Sequence, residues 1–259
     1  MRKKNINDCE RIIIKIGSSL ISQDKTLSIK KIQDWIEQIH TIKLQNKNIL
    51  IVSSGAISQG MNILNIRERP KSLESLQALA AIGQQQLIGM YEDAFNKFNI
   101  KTAQVLLTHD DIVNKERYDN AKATLEKILD LNVIPIINEN DVVATEEIRF
   151  GDNDNLAAMV ANLIKADLLI ILTDQDGYYD KNPTIDSNAK LINYCKINNL
   201  IIDDNLNTTN EFGTGGFKTK LQAVKRASKS NTISIIASGN QEQVLLKIFD
   251  GEKIGTLFE

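Results

Sequence analysis

Apolar and polar positions along this chain follow two alternating rhythms. Short runs rich in Ile, Val and Leu predict buried strands at Arg11–Ile16, Asn48–Val52, Thr102–Leu107, Val133–Ile137, Asp167–Leu172 and Thr232–Ala237. Between them, Ser28–Gln45, Leu73–Phe98, Tyr118–Leu131, Asn155–Lys165 and Lys218–Ser228 carry apolar residues at helical spacing. Strands joined through helices of this length are linked by crossovers and run parallel. Strands apolar at nearly every position need cover on both faces. The pattern therefore predicts an α/β fold, a three-layer α/β/α sandwich with a mostly parallel central sheet. No repeat and no Gly/Ser-rich linker divides the chain, so one domain over residues 1–259 is expected. The rhythm breaks between Gly177 and Gly216, where Tyr178–Pro183 reads as a loop and Asp203–Asn210 is polar. Such a stretch serves either as a binding loop or as a surface excursion.

Composition narrows the function classes. Among 259 residues, 31 Lys+Arg stand against 33 Asp+Glu, a net charge of -2 that gives nucleic acid no basic footprint. Cys9 and Cys195 are too few for a disulfide framework or a zinc site. The opening MRKKNINDCE lacks an apolar segment behind its basic residues, and no apolar run approaches the ~20 residues of a membrane span. A cytoplasmic protein without nucleic-acid or membrane partners is expected.

In parallel sheets, ligands bind beyond the carboxyl ends of the strands, and four junctions there carry chemistry. Lys15 interrupts an apolar strand just before Gly17-Ser18-Ser19, a small-residue turn suited to an anion; a lysine snorkelling from an edge strand is the plainer account. Ser53-Ser54-Gly55-Ala56-Ile57 leads from a strand into a helical start, whose free N–H groups favour negative charge, although a Ser N-cap explains it as well. Asn138-Glu139-Asn140-Asp141 and Gly151-Asp152-Asn153-Asp154-Asn155 crowd carboxylates and carboxamides into two loops. An EF-hand is excluded there, because Leu163 stands where its closing Glu belongs. Gly213-Thr214-Gly215-Gly216-Phe217-Lys218-Thr219-Lys220 enters a helix with two lysines in its first turn, against the helix dipole. It matches neither a Walker A loop nor a Rossmann fingerprint. Two lysines, anion cradles and an acidic, amide-lined pocket suit phosphoryl transfer, in which positioning and charge neutralisation dominate. His40 and His109 have no paired nucleophile and read as structural or solvated.

On these motifs, with Leu172-Thr173-Asp174, the chain from Arg11 to about Phe258 resembles the amino acid kinase family. The Asn-Glu-Asn-Asp and Gly-Asp-Asn-Asp-Asn pair points to the branch that phosphorylates the γ-carboxylate of L-glutamate, the first step of proline biosynthesis. The resemblance implies that Lys15 and Lys220 contact the phosphates and that Asp154 holds the two lysines. It implies glutamate binding by Ser54, Asp141 and Asn153, with help from Asn138. ATP would be met by Lys15, by Thr173 and Asp174, and by Thr214, Gly215, Gly216, Phe217, Lys218, Thr219 and Lys220. Mg²⁺ would arrive with ATP, held mainly by phosphate oxygens and water. Feedback by proline, a homo-oligomer (dimer or tetramer) and transient contact with a downstream reductase are implied as well. Many members add a C-terminal PUA domain, a module associated with RNA, which is not expected in this chain. Rival readings are a kinase for another carboxylate or carbamate, and a silent sensor of glutamate or proline; the sensor predicts loss of Lys15, Asp154 or Lys220, and all three are present.

Overall fold

A computed structural model describes residues 5–21, 25–144, 153–183, 185–200, 202 and 216–259. The six anticipated strands form, each within two residues of its expected bounds: β1 (Arg11–Ile16), β2 (Asn48–Ser53), β3 (Thr102–Leu107), β4 (Ile134–Glu139), β5 (Leu168–Thr173) and β7 (Ile233–Ser238). Two short strands that the pattern did not reveal, β6 (Tyr194–Cys195) and β8 (Thr256–Phe258), complete an eight-stranded sheet of order β3-β4-β2-β1-β5-β7-β8-β6. The first six are parallel; β8 runs antiparallel to β7, and β6 parallel to β8. Part of the irregular stretch after Gly177 thus finishes a sheet edge. Its residues 203–215 lie outside the described residues.

Around the sheet lie α1 (Ser18–Ile21), α2 (Lys25–Lys43), α3 (Ala56–Ile63), α4 (Leu73–Asn96), α5 (His109–Val113), α6 (Lys115–Asp130), α7 (Asn153–Ile164), α8 (Phe217–Ala227) and α9 (Val244–Phe249). Because strand side chains alternate, Ile12, Ile14 and Ile16 join one apolar core with Trp35, Ile39, Tyr91, Phe95 and Leu245 from α2, α4 and α9. Ile13 joins the other, with Leu163, Leu221 and Val224 from α7 and α8. The same period sends Lys15 to the side of Ile13, under α7 and α8. Both faces are covered, as the apolar strands require.

Helix bounds shift where polar side chains decide them. The helix expected from Tyr118 starts at Lys115, because the Asn114 side chain accepts from the Arg117 N–H at 3.2 Å and caps it. Just before it, Thr108 and Asp111 close a reciprocal capping box on α5. The dense charge of 110–120 is therefore that of helix starts. Helices α3 and α4 touch backbone to backbone: a Cβ on Gly60 would lie 2.0 Å from the Leu79 carbonyl oxygen, and one on Gly83 would lie 1.9 Å from that of Ala56. Among the described residues, no helix is long and apolar enough to cross a membrane.

Candidate active site

At the carboxyl ends of the central strands, three residues far apart in sequence converge. Lys15 leaves β1 and pairs with Asp154 in the first turn of α7; Lys220, in the first turn of α8, reaches the other oxygen of Asp154 at 3.0 Å. All three are buried, at 4%, 1% and 8% exposure for Lys15, Asp154 and Lys220, so water screens these charges little. Burial alone would push the Asp154 carboxyl up, but the Lys15 and Lys220 charges and their hydrogen bonds outweigh it and hold the group far below the usual carboxylate range. Within the triad, positive charge exceeds negative.

The turn after β1 is tight. The Gly17 N–H donates to the Leu172 carbonyl at 3.0 Å, and a Cβ there would sit 3.2 Å from that oxygen. Helix α8 opens on Gly216 with no side-chain cap and no acidic residue in its first turn, and α3 opens on Gly55 (φ 106°), also uncapped by a side chain. Both helix starts thus leave N–H groups available to an anion.

A cavity sharing the first turn of α7 is lined by Ser54, Asn138, Asp141 and Asn153, with Arg69 and Glu139. Its amide orientations are settled by one backbone donor. The Glu139 N–H donates to Asn138 Oδ1 at 2.9 Å, so the amide nitrogen of Asn138 points to Gln84 Oε1, at 2.6 Å. Asn153 Nδ2 then donates to Asn138 Oδ1 at 2.6 Å and to the Ser53 carbonyl. Its amide nitrogen is committed, which leaves Asn153 Oδ1 as an acceptor. Among the described residues, Ser54 Oγ and Gln84 Nε2 are buried without a hydrogen-bond partner. Burial raises Asp141 to about 6, partly opposed by the charge of Arg69.

The structure therefore brings Lys15, Asp154 and Lys220 into one cluster and Ser54, Asp141 and Asn153 around one cavity. Thr173 ends β5, the neighbour of β1, and Asp174 follows it, with Thr173 Oγ1 donating to Asp174 at 3.0 Å. Phe217 is buried and stacks on Tyr178 with ring centroids 5.9 Å apart, Lys218 is half-buried, and the Thr219 hydroxyl donates to the Gly216 carbonyl at 2.8 Å. Thr214 and Gly215 lie outside the described residues. His40 stacks on Phe98 at 4.4 Å, away from the site. Among the described residues, no three His, Cys, Asp or Glu side chains gather as a metal-ligand set.

Two supporting residues escaped the sequence reading. Gln84 has a signal in hindsight: it is an amide within the buried stripe Leu76, Ala80, Gly83, Leu87 and Tyr91 of α4. Arg69, in a connection before Pro70, has none.

Residues 10–237 match the Amino acid kinase family. Glutamate 5-kinase from Methylococcus capsulatus is 47% identical over 249 residues, covering 95% of this chain and 67% of its own length. Glutamate 5-kinase from Marinomonas sp. is 45% identical over 258 residues, covering 99% of this chain and 69% of its own. Among solved structures, carbamate kinase from Giardia lamblia bound to AMP-PNP superposes with a TM-score of 0.67 at 17% identity, over 98% of this chain and 99% of that one. The last likeness bears on the fold alone.

Proposed function

Because the chain belongs to the amino acid kinase family, we propose that it transfers the γ-phosphoryl group of ATP to the γ-carboxylate of L-glutamate, the first step of proline biosynthesis. The products are L-glutamyl 5-phosphate and ADP. Relatives named glutamate 5-kinase, alike over nearly the whole chain, support the substrate. The observation that carries the chemistry is Asp154 gripping two buried lysines beside a cavity whose Asn153 presents an acceptor.

A γ-carboxylate is already ionised at pH 7, so no general base is required. One of its oxygens forms a bond to the γ-phosphorus while the bond to the β,γ-bridging oxygen breaks, and that electron pair leaves with ADP. The barrier is repulsion between two anions. Lys15 and Lys220 lower it by lying against the phosphates, and Asp154 keeps both ammonium groups in place at little reorganisation cost. Asp141 and Asn153 Oδ1 receive the α-ammonium, Ser54 Oγ gains the partner it lacks, and Asn138 fixes Asn153. The nucleotide is bound by Thr173, Asp174 and the segment Thr214 to Lys220. Asp154, engaged by two ammonium groups, is a poor metal ligand, so Mg²⁺ would enter with the nucleotide rather than on a protein carboxylate and would supply further charge neutralisation. The reading extends to one kinase domain acting in the cytoplasm as a homo-oligomer, open to feedback by proline. Because acyl phosphates hydrolyse readily, it also includes transient contact with the reductase that consumes the product, testable by co-purification.

The test is ADP release from MgATP by the purified chain, with L-glutamate compared against aspartate, N-acetylglutamate, carbamate and UMP. Hydroxylamine is present to trap an acyl phosphate. Glutamate-dependent release with a matching hydroxamate is the expected result. Turnover with another acceptor, or tight glutamate binding without turnover, would overturn the reading.

A further inference from the structure

We propose that Arg69 binds the α-carboxylate of the amino-acid substrate and thereby sets a preference for free α-amino acids over acids whose α-carboxylate is capped. The inference rests on the reading above, that glutamate occupies the cavity beside Asp154. Such a substrate carries an ammonium and a carboxylate on one carbon, so its site must present opposite charges within a few bond lengths. Asp141 and Asn153 Oδ1 answer the ammonium, and the γ-carboxylate is committed to the phosphoryl group near Lys15 and Lys220. The α-carboxylate remains, and among the described residues lining the cavity Arg69 is the one with a positive side chain.

Its surroundings suit that task. The charge of Arg69 acts on Asp141 through space, yet none of the ion pairs among the described residues involves Asp141. The two charges face one cavity without closing on each other, as a slot for a zwitterion requires. Arg69 lines the cavity yet is exposed, so an entering anion reaches its guanidinium directly from solvent. Pro70 holds Arg69 to an extended backbone, and the Ile66 N–H, bonded to the Met61 carbonyl at 2.9 Å, ties the connection to α3. A guanidinium fork matches a carboxylate with two parallel hydrogen bonds, and Ser54 Oγ, buried and unpartnered in the same cavity, adds a third donor.

The test compares L-glutamate with its α-amide (isoglutamine), an isostere that keeps the γ-carboxylate and the ammonium but loses the α-charge. Both are assayed by ADP release and hydroxamate at pH 8 with the wild-type chain, Arg69→Gln and Arg69→Lys. In Arg69→Gln, KM for glutamate should rise about tenfold to a hundredfold, the scale of one lost charge-assisted contact, with kcat little changed. The wild-type preference for glutamate over its α-amide should collapse by a similar factor, and Arg69→Lys should restore part of it. A residue that only shapes the loop, or acts only through Asp141, would weaken both substrates equally; an unchanged preference therefore overturns this inference. Absence of glutamate turnover in the wild type would instead overturn the kinase reading beneath it.

Discussion

The triad shows how far a single residue's meaning depends on its surroundings. Lys15 in sequence is a cation in an apolar strand, equally at home snorkelling from an edge; β1 instead lies between β2 and β5, so its ammonium has only the interior to reach. With Asp154 holding it, Lys15→Ala or Lys220→Ala should lower kcat by orders of magnitude while the fold survives, because an alanine leaves the carboxylate its other lysine. Near-normal kcat in both purified variants would remove them from the phosphoryl step. Asp141 gives a pH signature. Its carboxyl, raised by burial to about 6, holds a proton in the folded chain at pH values where an unfolded Asp has lost it. Folding stability therefore falls as pH rises through the window from the ordinary Asp value to about 6, and levels off above it. The ionised form is the one that receives an ammonium, so kcat/KM for glutamate should climb through a limb near pH 6. Glutamate's own γ-carboxyl titrates lower, and Asp141→Asn should erase the limb together with most of the glutamate affinity.

Helices α3 and α4 decide where the cavity wall stands. Two glycines let their backbones touch, and this contact fixes the start of α3, where Ser54 and Gly55 face the cavity. Alanine at an exposed helical position normally stabilises by about 1 kcal/mol relative to glycine. At Gly83 the sign should reverse: its Cβ would lie 1.9 Å from the Ala56 carbonyl oxygen and 2.3 Å from the Gly60 nitrogen, both backbone atoms that cannot swing aside. Gly83→Ala should lower the thermal midpoint and raise KM for glutamate as α3 moves outward. Gly89→Ala, with nothing within 4 Å of the new Cβ on the same helix, should raise the midpoint and leave KM alone. Equal behaviour of the two variants would mean the close approach does not position the site. At this scale, long elements were legible because an apolar strand or a stripe spanning several turns repeats its signal. Short ones such as α1, α5, α9, β6 and β8 were not, since two to six residues hold at most one or two turns or alternations. The Gly60–Gly83 contact was equally hidden: a glycine in a helix pattern does not say which backbone will approach it.

Across the whole molecule, two apolar cores on opposite faces of one sheet stabilise the fold, and the charged triad is set into the edge of one of them. Loops at strand ends could be read as chemistry because parallel topology gathers those ends on one side, which grouped the loops that carry Lys15, Asp154 and Lys220; that Asp154 holds the two lysines was implied by the family resemblance, and the structure pairs them. The amide relay from Gln84 through Asn138 to Asn153 could not be read that way, since its order follows from hydrogen-bond direction in three dimensions. The same contrast bears on stability. Burying two ammonium groups and a carboxylate costs solvation that their mutual attraction tends not to repay in full, so the proposed phosphoryl transfer, rather than folding, is what accounts for the triad. Removing one member exposes this: Asp154→Asn leaves two buried cations without their carboxylate and should destabilise by about 3–5 kcal/mol. Replacing all three, as Lys15→Met, Asp154→Leu and Lys220→Met, removes charge and desolvation together. This variant should unfold at a denaturant concentration near or above that of the wild type, and well above that of Asp154→Asn, while its ADP release falls to background. A triple variant less stable than Asp154→Asn would show that the ion cluster itself holds β1, α7 and α8 together, and that site and fold cannot be separated here.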